Sequence, residues 1–400
     1  MQSFANVGPL EGIHVLELGT LIAAPFAARL LGEFGADVIK IESTEGDPLR
    51  RWRKMRGDTS LWWYVQSRNK RLMTLDLKSA DGKDIIKRLV KKSDVLIENF
   101  RPGTLEKLGL GWETLKAINP KLILVRISGY GQTGPAKHKP GFGAIGEAMG
   151  GLRYTTGTPG HPPSRMGVSI GDSLASLHAV FGALMALLRV KTGKGDGQIV
   201  DVALFESVFN IMESLVPEYD AFGFVRERSG GRLPGICPSN TYPTSDNGWV
   251  VIAGNSDAIF VRLMNAVGRP DLAADPDLQT NDGRVVHEPK IDHAIAAWTN
   301  TKTLAEALKI LEAADVPSGQ IYSAADIVAD AQFLDRGLII SQKLPDGSEL
   351  KFPGITPKLS DTPGVIRWTG RGLGADNREI LVELGYSEKD IRRFMDARTA

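Results

Sequence analysis

The segment GIHVLELGTLIAAPFAARLLGEFGADVIKIE, residues 12–42, decides the fold class. It begins with a short apolar run rich in β-branched residues (13–18), which the Gly-Thr pair at 19–20 interrupts. Apolar side chains then recur at helical spacing over 23–34, and a second apolar run follows at 36–41. Strand, helix and buried strand in this order predict a parallel βαβ unit.

The same alternation continues outward from this unit along the chain. Repeated strand–helix units imply a parallel sheet with helices on both faces, so the chain is predicted to be an α/β protein with a large Rossmann-like domain. Further strands are predicted at 72–77, 94–97, 122–128 and 199–202, and helices at 81–90, 105–118 in two pieces, 173–191 and 203–215.

A change of composition at 222–240, where charges and glycines are frequent, predicts a linker into a smaller domain. We therefore expect three segments. Residues 1–222 form the N-terminal part of the large domain, 223–320 the linker and a smaller central α+β domain, and 321–400 return to the large domain. The smaller domain is expected to hold a strand at 249–253 and helices at 258–267, 290–298 and 303–313.

The charge balance excludes several partners. Lys and Arg number 48 against 47 Asp and Glu, so the net charge of +1 gives no general attraction to nucleic acid or to an anionic membrane. An anionic ligand must therefore be held by a local group of cations. The longest apolar stretch, 179–188, is too short to span a bilayer.

The first residues and the cysteine content favour a cytoplasmic protein. Residues 1–8 lack the basic segment and apolar run of a secretory signal. Cys237 is the single cysteine, which excludes an intrachain disulfide and suits a reducing compartment.

The sequence predicts neither a metal nor a tightly bound cofactor. The turn after the first strand has one glycine, Gly19, where a dinucleotide-binding fingerprint needs three for close approach to a pyrophosphate. The chain also lacks a phosphate-binding P-loop and paired Cys or His at the spacing of metal ligands.

Several cations lie where a parallel sheet binds its ligands. Lys78 ends one predicted strand, Arg101 and Lys107 follow another, and Lys139 lies in a glycine-rich loop. Residues just past the strand ends face the usual ligand crevice, and arginine offers a bidentate fork to phosphate. The alternative is that these are solvated surface charges.

Asp172 directly precedes the long predicted helix 173–191, whose large apolar residues Leu174, Leu177, Phe181, Leu184 and Leu188 recur at helical spacing. At this position an aspartate is a good N-cap that also complements the helix dipole. A helix N-terminus also keeps a carboxylate ionised, and an ionised carboxylate can act as a nucleophile. Both interpretations stay open on local grounds.

Ordered motifs along almost the whole chain resemble the class III CoA-transferases, the CaiB/BaiF family. The motifs are PLEG (9–12), GADVIKIE (35–42), NKR (69–71), LDLK (75–78), ENFRPG (98–103), SGYGQTGP (128–135), GD (171–172) and TGKG (192–195). The resemblance implies an interlocked, ring-like homodimer. It also implies that Asp172 is the nucleophile that carries the acyl group.

In this family the aspartate forms a mixed anhydride with the donor acyl group and then a thioester with CoA. The resemblance therefore predicts an acyl-CoA:carboxylate CoA-transferase, with acyl-CoA and a carboxylic acid as its small-molecule partners. Together with the crevice argument for Arg101, the resemblance gives as CoA-binding residues Ile22, Ala23, Leu75, Lys78, Asn99, Phe100, Arg101, Lys107 and Lys139.

Two alternative functions remain at this level. Related α-methylacyl-CoA racemases use a His-Asp pair that aligns with Phe142-Gly143, and a phenylalanine cannot act as a base. A non-catalytic acyl-CoA-binding protein would keep Asp172 only as a helix cap.

The cations Arg51, Arg153 and Arg165 are candidates for pairing with a distal carboxylate, which makes succinyl-CoA a plausible donor and a dicarboxylic acid a plausible acceptor.

Overall fold

The computed structural model of the chain describes residues 8–397 and 399–400. The expectation about a signal sequence concerns residues that lie, except for Gly8, outside this range. The strands are β1 (His14–Glu17), β2 (Asp37–Glu42), β3 (Met55–Arg56), β4 (Thr59–Ser60), β5 (Lys70–Thr74), β6 (Val95–Glu98), β7 (Ile123–Ser128), β8 (Ile199–Ala203), β9 (Ser239–Pro243), β10 (Trp249–Ala253), β11 (Ser318–Gln320), β12 (Ile339–Lys343) and β13 (Glu349–Pro353).

Helices follow most of the strands. They are α1 (Ala23–Glu33), α2 (Leu61–Gln66), α3 (Ala80–Lys92), α4 (Thr104–Lys107), α5 (Trp112–Ile118), α6 (Gly143–Met149), α7 (Leu152–Thr155), α8 (Ile170–Lys191), α9 (Leu204–Phe209), α10 (Leu215–Phe222), α11 (Asp257–Ala266), α12 (Pro270–Ala273), α13 (Asn281–Val286), α14 (Glu288–Thr299), α15 (Leu304–Ala313), α16 (Ala324–Ala329), α17 (Ala331–Asp335), α18 (Asn377–Glu383) and α19 (Glu388–Asp396). Short 3₁₀ helices occur at Pro48–Arg51 and Pro276–Leu278.

The chain folds into two compact units, and both are assembled from separate segments. The first, here called the sheet unit, contains the described residues up to Arg153 together with Met166–Gly223 and Leu334–Ala400. The second, here called the small unit, contains Tyr154–Arg165 and Phe224–Phe333.

A six-stranded parallel sheet forms the centre of the sheet unit, in the order β5-β2-β1-β6-β7-β8. This confirms the α/β class predicted from residues 12–42. From β1 the chain runs outward through β2 to β5, and it then returns to β6 on the other side of β1. The direction of winding therefore reverses between β1 and β6, and in such sheets the ligand crevice lies there, at the carboxyl ends of the strands.

One face of the sheet is covered by α1 and α8, which pack through alanines. Small side chains let two helix backbones approach closely, so the contact is dense although few large residues take part. The fully buried alanines are Ala24, Ala27 and Ala28 of α1 and Ala175, Ala179 and Ala183 of α8.

The large apolar residues of α8 lie on its exposed side. Leu177, Phe181, Leu184 and Leu188 are between 39% and 66% exposed. The alanine face of α8 therefore packs onto the sheet, and the stripe of large apolar residues predicted from the helical spacing does not. By length and composition alone α8 could also cross a membrane, a test that core helices of soluble proteins pass as well.

The small unit holds an antiparallel sheet in the order β11-β10-β9, with Val250 and Ile252 of β10 buried. Helices α11, α14 and α15 contribute to the same core through residues such as Phe260, Ile291 and Leu311. The sequence predicted β10 at the residues where the structure has it.

Cys237 belongs to this core, and we predict that it is chemically inert in the native protein. It is 0% exposed, and burial, with Glu288 and Asp292 nearby, raises the pKa of its thiol to about 12. Thiolate is the reactive form, so a disulfide reagent at pH 8 should label Cys237 only after denaturation. Stoichiometric labelling of the folded protein would contradict this prediction.

Candidate active site

A cavity of about 640 Å³ lies at the carboxyl ends of β1, β2 and β5 and extends to Phe100 and Thr104 after β6, so it includes the edge where the winding reverses. It brings together three of the predicted CoA-binding residues, Leu75, Lys78 and Phe100. The rest of its lining comes from the turns after the strands: Leu18, Gly19, Thr20, Lys40, Ile41, Glu42, Ser43, Thr44, Glu45, Gly46, Asp47, Pro48, Asp76, Leu77, Thr104 and Leu108.

The turn between β1 and α1 is fixed by hydrogen bonds to its backbone. The Asn99 side chain accepts from the Thr20 amide and donates to the Thr20 carbonyl, both at 2.9 Å. Leu21 has a φ of 64°, which is unusual for a residue with a side chain, and its amide donates to both carboxylate oxygens of Asp47. Asn99, predicted to contact CoA, therefore joins β6 to this turn.

Buried charged side chains stabilise the turn between β1 and α1. Lys40 Nζ lies 2.8 Å from Glu17 Oε1, 2.9 Å from Asp47 Oδ2 and 2.7 Å from the Gly19 carbonyl oxygen. Burial alone would lower the pKa of Lys40, but these carboxylates raise it. The ammonium thus stays charged and ties the turn to β1 and β2.

Lys70 lies on the other side of Glu17, with its Nζ 2.7 Å from Oε2. It is fully buried, and burial lowers its pKa to about 8. Lys70, the lysine of the NKR motif, is therefore not a solvated surface charge. It is part of the interior network and is not available to a ligand.

Asp172 lies in the first turn of α8 and is half-buried. The helix begins at Ile170 with Ser169 as its N-cap residue, so Asp172 is the third helical residue. The prediction that Asp172 is the N-cap is therefore wrong by three positions. The favourable interaction of an acidic first-turn residue with the helix dipole still applies.

Gly143, the first residue of α6, contacts the Asp172 carboxylate through its α-carbon. A Cβ at Gly143 would lie 2.2 Å from Asp172 Oδ2, and one at Gly171 would lie 2.8 Å from the Gly143 carbonyl oxygen. Two glycines therefore let the start of α6 pack directly against the start of α8. This close packing limits the positions that the Asp172 carboxylate can adopt.

Ser176, one turn after Asp172, connects the nucleophile candidate to α1. Its hydroxyl oxygen lies 2.7 Å from the carbonyl oxygens of both Ala23 and Asp172, and the residue is fully buried. The first turn of α8 is thereby held against the start of α1, next to the turn that lines the cavity.

The remaining predicted residues fall into two groups. Ile22 and Ala23 are 8% and 2% exposed and are not among the residues that line the cavity. Arg101, Lys107 and Lys139 are exposed and do not line the cavity, although Thr104 and Leu108 on either side of Lys107 do.

Sequence reasoning missed Gly143, Ser176 and Asp47 as parts of the site. In the sequence Gly143 stands out only as a departure from a His-Asp pair, and nothing there indicates which helix it faces. Among residues 8–397 and 399–400, no group of three or more His, Cys, Asp or Glu is placed to hold a metal ion.

Comparisons with known proteins agree with this geometry. A sequence model of CoA-transferase family III matches residues 10–377. The chain is 49% identical over 386 residues to the succinyl-CoA–D-citramalate CoA-transferase of Chloroflexus aurantiacus, covering 96% of each chain. It is 43% identical over 397 residues to the succinyl-CoA–L-malate CoA-transferase beta subunit of the same organism, covering 98% of each.

A solved structure also matches this chain. A CaiB/BaiF family protein from Brucella suis matches with a TM-score of 0.82 at 34% identity, over 94% of this chain and 99% of that one. These matches confirm the resemblance that the motifs indicated.

Proposed function

Because this chain belongs to CoA-transferase family III, we propose that Asp172 is the residue that carries the acyl group and CoA between two carboxylic acids. The observation that carries the proposal is the placement of the Asp172 carboxylate. It lies against Gly143 Cα, and Ser176 connects its helix turn to the start of α1 beside the cavity.

The first half of the reaction loads CoA onto the enzyme. An Asp172 oxygen attacks the thioester carbonyl of the donor, the C–S bond breaks, and CoA leaves as a thiolate. The thiolate then attacks Cγ of Asp172 in the resulting mixed anhydride. This step releases the donor acid, which keeps one oxygen from Asp172, and leaves an aspartyl-CoA thioester.

The second half reverses these steps with the acceptor. The acceptor carboxylate attacks Cγ of the thioester and displaces the CoA thiolate. The thiolate then attacks the acyl carbonyl of the new anhydride, which forms the product thioester and returns Asp172 with one oxygen from the acceptor. No step needs a proton, so a phenylalanine at position 142 is compatible with transfer and not with proton abstraction.

We infer that the donor is succinyl-CoA and that the acceptor is a dicarboxylic acid. Two relatives that are more than 40% identical are named for transfer from succinyl-CoA to citramalate and to malate. Each of these substrates carries a second carboxylate, which demands a cation near the acyl group.

A single buried cysteine and the requirement for CoA fit the cytoplasmic location expected from the sequence.

Hydroxylamine trapping tests the covalent step. With succinyl-CoA and hydroxylamine, Asp172 should become a hydroxamate that peptide mass spectrometry detects. Without succinyl-CoA the peptide should stay unmodified. An unmodified Asp172 during active turnover would refute its role as carrier.

Proton exchange separates transfer from racemisation. In deuterium oxide without an acceptor acid, a transferase should not exchange the α-proton of a 2-methylacyl-CoA. Exchange at a rate comparable with turnover would favour the racemase alternative.

The exposed apolar stripe of α8 supports the homodimer that the family resemblance implies. Leu177, Phe181, Leu184 and Leu188 form one contiguous face, and apolar patches of this kind mark protein interfaces. We propose that a second copy of the chain covers this face.

A sedimentation experiment tests this proposal by measuring the mass of the protein in solution. The wild-type protein should sediment at twice the chain mass of 43.3 kDa, and Phe181→Glu should lower the dimer fraction because it places a charge in the apolar contact. Val286→Glu in the small unit, at a 75% exposed position, is the matched control and should leave the mass unchanged. A wild-type monomer at micromolar concentration would contradict the proposal.

A further inference from the structure

Glu147 and Arg153 form an ion pair whose geometry differs from that of the other buried carboxylates. Glu147 is 1% exposed, and Arg153 Nη2 lies 3.4 Å from its Oε2. In the sheet unit, the buried carboxylates of Glu98 and Glu42 meet their arginines at 2.7 Å. Glu147 therefore holds its arginine loosely.

Both members of the pair have unused hydrogen-bonding capacity. Glu147 Oε1 and Arg153 Nε are buried and have no hydrogen-bond partner among the described residues. The Arg153 side chain as a whole is 30% exposed, so a ligand can reach part of it. A buried donor without a partner is costly, so the structure leaves this arginine incompletely paired, and a guanidinium can bind a second carboxylate through its other nitrogens.

Glu147 lies on the helix whose first residue contacts the nucleophile. Glu147 is four residues after Gly143 on α6, so the two share one helix face about 6 Å apart along the axis. Helical side chains lean toward the N-terminus, which directs the Glu147 carboxylate back over the turn of Gly143. Gly143 in turn contacts the Asp172 carboxylate.

One guanidinium can bind two carboxylates, and this chain provides the precedent. Arg126 meets Glu98 at 2.7 Å and Glu106 at 2.8 Å. Arg153 can therefore keep its contact with Glu147 and accept a second anion.

We propose that Arg153 binds the distal carboxylate of a dicarboxylic acyl group while Asp172 reacts at the thioester, and that Glu147 positions the guanidinium. The proposal rests on the function proposed above, and it makes Arg153 the residue that selects dicarboxylic over monocarboxylic substrates.

The test compares two donors of equal carbon number in the Arg153→Gln variant. We would measure the rate at which Asp172 hydroxamate forms from succinyl-CoA and from butyryl-CoA, which lacks the distal carboxylate. Loss of a charged hydrogen bond should lower the succinyl-CoA rate by about 10- to 150-fold and leave the butyryl-CoA rate within a few-fold. Arg392→Gln, at an exposed position of α19, is the matched control for charge and should change neither rate.

The ratio of the two rates separates the outcomes. An unchanged ratio in Arg153→Gln, with both rates intact or both reduced, overturns the role of Arg153 as a selector. Trapping at Asp172 would still support the proposed mechanism in that case. If Arg153→Gln fails to fold, Arg153→Lys replaces it. Lysine keeps the charge but loses the bidentate fork, so a smaller loss confined to succinyl-CoA is expected.

Discussion

Replacement of Asp172 by asparagine should abolish CoA transfer and leave the fold intact. The amide has the shape of the carboxylate but is not a competent nucleophile, so neither the anhydride nor the thioester can form. Loss of a covalent nucleophile lowers turnover by orders of magnitude, and we expect at least a roughly 10⁴-fold fall in kcat. Steady-state transfer from succinyl-CoA to a dicarboxylic acid measures it.

Stability and binding measurements complete this experiment. The side chain is half-buried in the first turn of α8, and the loss of its favourable charge interaction with the helix dipole costs about 0.3–1 kcal/mol. The variant should therefore melt close to the wild type and bind succinyl-CoA with a similar Kd. Asp172→Ala serves as a second variant that cannot regain the carboxylate by deamidation. Full turnover by either variant would show that Asp172 is no more than a first-turn residue.

The second large effect is expected for Gly143→Ala. A Cβ at this position would lie 2.2 Å from Asp172 Oδ2, so the carboxylate or the start of α6 must move by about 1 Å. Misplacement on this scale costs about 10²-fold in rate, and we expect kcat to fall by that factor. The free energy of unfolding should also fall by about 1–3 kcal/mol because the contact is overpacked.

A matched glycine variant distinguishes this effect from a general loss of glycine. Gly372 has open space around its α-carbon and no positive φ, so Gly372→Ala should change neither kcat nor stability. If Gly143→Ala turns over like the wild type, the carboxylate is not held by this contact, and the proposed placement of the nucleophile is wrong.

Much of the sheet unit could be predicted because local patterns and topology agree there. The first strand, helix and second strand fall within one or two residues of the elements predicted from 12–42. Parallel strands are buried on both faces and read as short apolar runs, which makes them easy to recognise. The two-piece helix at 105–118 also has its counterparts, α4 and α5.

Long-range packing limited the remaining predictions. The predicted helix 203–215 ends at Phe209, and a separate helix begins at Leu215 after Glu213 takes a positive φ of 52°. The apolar spacing correctly predicts a helix at α8, but the large side chains of this helix face outward because its alanines pack closely against α1.

The candidate site was predictable only in part. Leu75, Lys78 and Phe100 share the cavity because they follow neighbouring strand ends, which sequence position can indicate. The contact of Gly143 with Asp172 joins residues 29 positions apart, with two short helices and the irregular segment 156–169 between them, and no local pattern encodes it. Lys70 is buried by Glu17, a partner on a strand more than fifty residues earlier.

The transfer of oxygen from the acceptor to Asp172 tests the central claim most directly. The enzyme would turn over succinyl-CoA with an acceptor dicarboxylic acid labelled with ¹⁸O in its carboxylates, and the peptide containing Asp172 would be analysed by mass spectrometry. The mechanism predicts ¹⁸O in the Asp172 carboxylate after turnover and none when the acceptor or succinyl-CoA is omitted. Efficient turnover without ¹⁸O in Asp172 would contradict it, because CoA would then have passed between the acids without an aspartyl intermediate.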